Sequence, residues 1–377
     1  MDRIYLNNAA CAFPLAPGVV EAVAGSLSGP PQSSGRTSHG SCSDLERWRE
    51  NTARLLGVLP SEVVYTPGAT YGLNTAILGL GLARGDLVVA TVMEHNSVLR
   101  PLARLEDLFG VRVECVPMTD ELRLDLSVFD RWLEKKPRLV VMSHASNVTG
   151  RIHPVRWWFE RAKSVGAVTL LDASQTVGRV RVRPREVFAD IAAFSGYKGL
   201  RGPPGTGALY VSSEVTVDPT FVGGTGALSD RRLQPEDMPM RLEAGTPNVA
   251  GLAGLDAAAS YCMENLNEHA AMEEAITRTL LTGLGAIPGV RVFDSDPSER
   301  LPIVSFVIDG MDSESVGFAL SECFDIECRA GLHCAPLFHR AIGADLGTVR
   351  FSPSYANTTA ELDAALDAVR RIAHESY

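Results

Sequence analysis

Lys198 stands in Ser195-Gly196-Tyr197-Lys198, directly after the apolar run IAAFS (191–195) and before the glycine-rich stretch GLRGPPGTGALY. An ammonium at the end of a buried strand is costly. Apolar surroundings lower its pKa and make the neutral amine available for imine chemistry. The same lysine on a solvated loop would do none of this, and the segment alone leaves both readings open. Asp172 closes the run LLD in LLDASQ. An acid at the carboxyl end of a buried strand lies where open α/β sheets bind ligands, and it could pair with a protonated ring nitrogen. Alternatively it caps a helix starting at Ala173. Gln175 follows three residues later.

His95 in MEHNS follows a further strand-like run. An imidazole there can lie flat against an aromatic ring and move protons, or it can be a satisfied structural histidine. Asn147 in SHASNVTG suits a ring substituent or a turn. Thr66-Pro67-Gly68-Ala69-Thr70 reads as a strand-to-helix turn whose N–H groups can hold a phosphate, or as an ordinary capped turn. No Gly-Lys-Ser/Thr follows, so it is not a nucleotide P-loop. Cys334 in RAGLHCAP has Arg329 and His333 close in sequence, and nearby positive charge would favour a thiolate. Its bland counterpart is an inert buried thiol. Arg350 in GTVRFS could grip a carboxylate in two-pronged fashion, or make a surface ion pair of little worth.

These residues need a scaffold, and the chain between about 60 and 211 supplies one. VVYT (63–66), LVVATV (87–92), VRVECV (111–116), RLVVMS (138–143), VTLLD (168–172) and IAAFS (191–195) read as strands. Helices are expected over 70–80, 97–109, 126–134 and 155–165. Near-continuous apolar strands separated by helices argue for a parallel sheet covered on both faces. Such a sheet sets Thr70, His95, Asn147, Asp172 and Lys198 at successive carboxyl strand ends. Beyond about 245 the pattern changes to a long helix (248–284), strands at 290–293 and 302–308, a helix at 313–323, a strand at 348–352 and a last helix. Thr358 and Glu361 form a capping box there, and Leu362, Leu366 and Val369 repeat at helical spacing. The segment 28–41, rich in Gly, Ser and Pro, is a loop.

The totals narrow the classes. A chain of 377 residues exceeds the usual single core, so two domains are expected. The formal net charge of −10 argues against a nucleic-acid binder. No apolar run reaches the length of a membrane span, and MDRIYLNNAA lacks a secretory pattern, so a cytoplasmic protein is expected. Seven scattered cysteines without a C-x-x-C pair suit neither a disulfide framework nor a zinc site, and no metal is expected.

Order and spacing of the blocks EHN (94–96), SHASNVTG (143–150), LDASQ (171–175), FSGYKGLRGPPGTG (194–207), EAGTPN (243–248), RAGLHCAP (329–336) and VRFSPSYANT (349–358) carry a resemblance. From YLNNAA (5–10) to the C-terminal helix, the chain resembles class V, fold-type I pyridoxal-phosphate enzymes, and within them the cysteine desulfurases. RAGLHCAP is similar to the short cysteine loop of the SufS-like second group. The resemblance implies an α/β fold: a large cofactor domain (14–247) with a mainly parallel seven-stranded sheet, and a smaller α+β domain (248–377, with 1–13). It implies that Lys198 carries pyridoxal 5'-phosphate and that Asp172 pairs with its ring nitrogen. Gln175 would contact the ring hydroxyl, His95 would stack on the ring, and Asn147 would lie near ring and substrate. Ala69, Thr70 and Ser195 would hold the phosphate, with Tyr197 able to join through its hydroxyl. Thr246 would reach the phosphate of a neighbouring subunit, which implies a homodimer. Arg350 would bind the carboxylate of L-cysteine, Cys334 would accept the sulfur for an acceptor protein, and His39 with its loop would close over the substrate.

Three positions depart from the family's habits. Asn7 replaces a frequent acid, Tyr197 a frequent histidine before the lysine, and Leu332 a frequent second histidine. They leave room for related readings: a lyase acting on selenocysteine, cysteine sulfinate or a cysteine conjugate, or a class V aminotransferase or epimerase of specialised metabolism. A non-catalytic sulfur-carrier scaffold is the reading from outside the enzyme class.

Overall fold

The computed structural model describes residues 3–29, 44–119, 121–226 and 228–374. A short strand Ile4–Tyr5 (β1) comes first. The uninterrupted apolar runs then form one sheet: Val63–Thr66 (β2), Leu87–Thr91 (β3), Arg112–Val116 (β4), Leu139–Ser143 (β5), Val168–Asp172 (β6), Ile191–Ser195 (β7) and Gly207–Val211 (β8). The order is β2-β8-β7-β6-β5-β3-β4. β8 runs antiparallel to both neighbours, and the other pairings are parallel.

Alternation along each strand splits the side chains between two cores, as a pleat requires. Val88, Ala90, Leu139 and Val141 pack with Leu73, Ile77, Leu102 and Leu105 of the helices Ala69–Gly79 and Asn96–Phe109. Leu87, Val89, Val140 and Met142 face the other way, towards Phe129, Trp158 and Phe159. Both faces are therefore dry, which is why the strands carry almost no polar residues.

A second layer follows the helix Val249–Gly285. The strands Val290–Val292 (β9), Val304–Ile308 (β10), Ile326–Glu327 (β11), Arg329–Gly331 (β12) and Thr348–Phe351 (β13) complete the set. Four of them make an antiparallel sheet, β12-β13-β10-β9, and β11 pairs in parallel with β1. Helices Ser313–Phe324 and Thr359–His374 cover that sheet. The expected capping box is present: Glu361 N–H donates to Thr358 Oγ1, and Thr358 N–H donates to the Glu361 carboxylate at 2.7 Å. The long helix serves both cores, through Leu252, Leu255 and Ala258 on the first and Leu280, Leu281 and Leu284 on the second.

Sequence patterning missed β8, which lies within a stretch read only as glycine-rich. Its signal was the apolar run ALYV. Gly207 opens this strand because a Cβ there would lie 2.4 Å from the Phe194 carbonyl oxygen and 2.8 Å from Gly68 Cα. The close approach brings the Gly68 turn up against the end of β7. The helix Asp44–Leu56 was missed too.

Candidate active site

The carboxyl ends of β2, β3, β5, β6 and β7 converge on a cavity of about 150 Å³ that opens to solvent. Ala69, Thr70, His95, Asn147, Asp172, Gln175, Ser195, Tyr197, Lys198, Cys334 and Arg350 all line it. Thr246 is exposed and does not, and His39 lies outside the described residues.

Lys198 follows β7. Burial holds its pKa down to about 8, helped by Arg350 and Arg329 and opposed by Asp172. Asp172 ends β6, where its Oδ1 accepts from the Ser174 N–H at 2.9 Å and from the Ser174 hydroxyl. That bracing fixes one carboxylate oxygen. Gln175 Nε2 donates to the Ala9 carbonyl at 3.1 Å, which sets the amide's orientation. Its Oε1 is buried without a partner among the described residues.

His95 lies just beyond β3. It faces the cavity and is also the N-cap of Asn96–Phe109: Nδ1 accepts from the Ser97 N–H at 3.0 Å. Nδ1 is thus an acceptor, and the ring hydrogen sits on Nε2. Burial pushes the His95 pKa down to about 4, with Lys198, Arg329 and Arg350 adding and Asp172 opposing, so the ring is neutral at physiological pH. At the opposite end of the cavity, Ala69 N–H donates to Ser195 Oγ at 3.0 Å, and the helix Ala69–Gly79 has no side-chain N-cap. The Ser195 hydroxyl hydrogen and the helix N–H groups are what an anion at this end would meet.

Cys334 comes from the second layer. Its carbonyl accepts from Asn96 N–H at 2.8 Å, and the His333 carbonyl accepts from Asn147 Nδ2 at 2.7 Å. The segments after β3 and β5 therefore hold the Cys334 loop over the sheet. Arg329 Nη2 donates to Cys334 Sγ at 3.8 Å. Arg329 and Arg350 are direct partners across β12 and β13. Arg350 is 2% exposed, which removes the surface ion pair as a reading. One of its nitrogens donates to the Asn147 carbonyl at 2.7 Å, while Nε and Nη2 are buried without partners among the described residues. Burial and the neighbouring Arg329 and Arg179 hold its pKa down to about 9. Two adjacent guanidiniums and two donors unpartnered among the described residues are chemically suited to an anion.

A model of the family "Aminotransferase class-V" matches residues 4–365. The "Probable cysteine desulfurase" of Methanothermobacter thermautotrophicus is 34% identical over 339 residues, covering 87% of this chain and 84% of its own. "Probable cysteine desulfurase 2" of Mycobacterium leprae is 35% identical, covering 86% and 80%.

The chain belongs to the cysteine desulfurase family of class V aminotransferases.

Among solved structures, the apo cysteine desulfurase of Thermococcus onnurineus NA1 superposes with a TM-score of 0.91 at 31% identity, covering 99% of this chain and 95% of that one. The cysteine desulfurase CsdA (S-sulfonic acid) of Escherichia coli gives 0.87 at 28%, with the same coverage. Members of the family use pyridoxal phosphate, and the residues present fit it. An unpartnered Gln175 Oε1 can accept from the ring hydroxyl, and a braced Asp172 carboxylate can hold the ring nitrogen.

Three contributors escaped sequence reasoning in their roles. Ser174 braces Asp172. Arg329 is a cavity residue opposite Arg350, and not just a charge near Cys334. Glu94 is fully buried, accepting from Thr91 Oγ1, Ser143 N–H and Ser143 Oγ, and so clamps the ends of β3 and β5. Burial pushes its pKa up to about 7. A glutamate between two strand ends has no periodic signature, so only the fold reveals it.

Proposed function

We propose that this chain is a pyridoxal-phosphate-dependent cysteine desulfurase that converts L-cysteine to L-alanine and leaves the sulfur on Cys334 as a persulfide for an acceptor protein. The observation that carries this reading is the joint presence in one cavity of Cys334, the buried Arg350 and the Lys198–Asp172–Gln175 set. When bound, the cofactor supplies an electron sink for the bonds at the substrate's Cα.

The chain's own residues do the rest. Lys198 Nζ, with a pKa near 8, is neutral in useful proportion around neutral pH; it holds the cofactor and moves the Cα proton. Asp172 would keep the ring nitrogen protonated, Gln175 would hold the ring hydroxyl, and the neutral ring of His95 would meet the cofactor ring. Ala69, Thr70, Ser195 and Tyr197 would hold the phosphate. Arg350 binds the substrate carboxylate through its two idle nitrogens, which orients the thiol towards Cys334. Arg329 supplies a counter-charge beside Sγ. Thr246, exposed and away from the cavity, is assigned to the partner's phosphate in a homodimer. We place the enzyme in the cytoplasm.

The test is a single turnover with L-cysteine, mapping persulfide by mass spectrometry and quantifying alanine. Matched alanine and Cys334 persulfide are expected, and a Cys334→Ser variant should keep its cofactor absorbance and lose both products. Full alanine production by that variant would overturn the role of Cys334.

A further inference from the structure

Arg201 follows closely on Lys198, and the reading above makes no use of it. Its N–H donates to the Lys198 carbonyl at 2.8 Å, which closes the turn that carries the lysine. Its φ is +60°, a left-handed value that residues with a side chain rarely adopt. Such a conformation persists where its surroundings over-determine it. Here the Arg201 carbonyl accepts from Ala16 N–H at 2.9 Å, and Arg201 Nε donates to the Pro14 carbonyl at 2.8 Å. The side chain is buried.

The guanidinium reaches across to the second layer. Its Cζ lies 4.7 Å from the centroid of the Tyr355 ring. Its Nη2 has no hydrogen-bond partner among the described residues, so the aromatic face is what this buried charge meets. Tyr355 stands on the segment that leaves β13, the strand of Arg350. His269 of the long helix stacks on the same ring, with centroids 3.5 Å apart and planes 10° apart. Glu273, on the same helix and buried, accepts from the Tyr355 N–H and lies 3.6 Å from Arg179 Nη1. Tyr355 is thus fixed at its ring and at its main chain. The segment between Arg350 and Tyr355 is stiff as well: Ser352 N–H donates to the Leu6 carbonyl at 2.7 Å, and Ser354 N–H to Asn357 Oδ1 at 2.9 Å.

We propose that Arg201 is a positioning residue that couples the two halves of the site: through Tyr355 it ties the Lys198 turn to the Arg350 strand, so that a carboxylate held by Arg350 sets Lys198 Nζ for the Cα proton. The proposal deepens the desulfurase reading and rests on its assignment of Lys198 and Arg350. Every link in the connection is short. Lys198 and Arg201 share a main-chain hydrogen bond, Arg201 and Tyr355 share a desolvated cation–π contact, and Tyr355 and Arg350 share one braced stretch of backbone.

The experiment uses the full-length holoenzyme and follows exchange of the L-alanine Cα hydrogen for deuterium in D₂O, a step that needs Lys198 and not Cys334. The Cα–H bond breaks, its proton passes to Lys198 Nζ, its electron pair is held in the cofactor's electron sink, and a deuteron returns to carbon. Tyr355→Leu removes the aromatic face, Tyr355→Phe keeps it, and Arg201→Gln removes the charge opposite. Since a misplacement of about 1 Å can cost a hundredfold, Tyr355→Leu and Arg201→Gln should each slow exchange at least about tenfold, with the Kd of L-alanine within about twofold of wild type. Tyr355→Phe should stay close to wild type. The double variant Arg201→Gln/Tyr355→Leu should be no slower than the slower single, because both changes cut one contact. Visible circular dichroism of the bound cofactor should match wild type in these variants until L-alanine is added, and differ afterwards. Wild-type exchange in Tyr355→Leu, or losses that multiply in the double variant, would overturn the proposal; should Arg201→Gln fail to fold, the two Tyr355 variants decide it. If the wild type exchanges L-alanine but forms no alanine from L-cysteine, the desulfurase reading fails while the coupling is still tested.

Discussion

Arg350 shows how a single residue can announce a ligand. Its two unpartnered nitrogens sit in a protein interior where buried donors are almost always satisfied. A lysine in its place keeps the charge but loses the fork. Arg350→Lys should therefore raise KM for L-cysteine roughly 10- to 100-fold, the equivalent of the ~1.5–3 kcal/mol of a charged hydrogen bond, while the cofactor spectrum stays intact. Steady-state kinetics with L-cysteine check this; an unchanged KM would mean that the carboxylate binds elsewhere. The same scale explains why the sequence underdetermined several residues. His95 was offered as either a cofactor contact or a structural histidine, and it is a cavity residue whose other nitrogen caps a helix. Asp172 likewise faces the cavity and anchors the turn at Ser174.

At the scale of elements, the loop after β7 is positioned by a glycine far from it in sequence. Gly178 has φ +90°, and a Cβ there would lie 2.3 Å from both Gly199 C and Leu200 N, the residues that follow Lys198. Gly166 has a similar φ of +85° with nothing within 4 Å. Gly166→Ala should cost only the backbone strain, on the order of 1 kcal/mol. Gly178→Ala should cost more by roughly 1–3 kcal/mol, because main-chain atoms cannot step aside as a side chain can. It should also loosen the cofactor by shifting Lys198. Melting temperatures and retained cofactor absorbance of the two variants separate strain from displacement; equal losses would show that the contact is harmless. The same logic applies to β8, whose first residue must be glycine to let the Gly68 turn approach.

For the molecule as a whole, the buried histidines set an acid limit. Burial pushes His144 down to about 4 and His153 to about 3, lowers His333 and His339, and takes half-buried His95 to about 4, all from an ordinary value of 6.5. On acidification the unfolded chain takes up protons at 6.5 that the folded chain refuses until near 4. Stability therefore rises with pH through that window, by up to about 1.4 kcal/mol per pH unit for each such group. Glu94, Glu273 and Asp256, whose carboxyls are raised, act the other way but are fewer. The melting temperature should fall steeply as pH drops from about 6.5 towards 4; thermal melts at stepped pH check this, and a flat profile would mean that the histidines protonate in place.

The sequence by itself determined the strand-by-strand core of the large sheet, because strands buried on both faces must be almost wholly apolar and leave an unmistakable pattern. It also determined which residue types sit at the strand ends, and hence the family. The antiparallel insertion of β8, the Arg329–Arg350 pairing and the hydrogen bonds that join His333 and His339 through Thr348 were decided only by the tertiary structure. Each depends on which backbones lie side by side, and cross-strand register and hydrogen direction leave no periodic trace in a single chain.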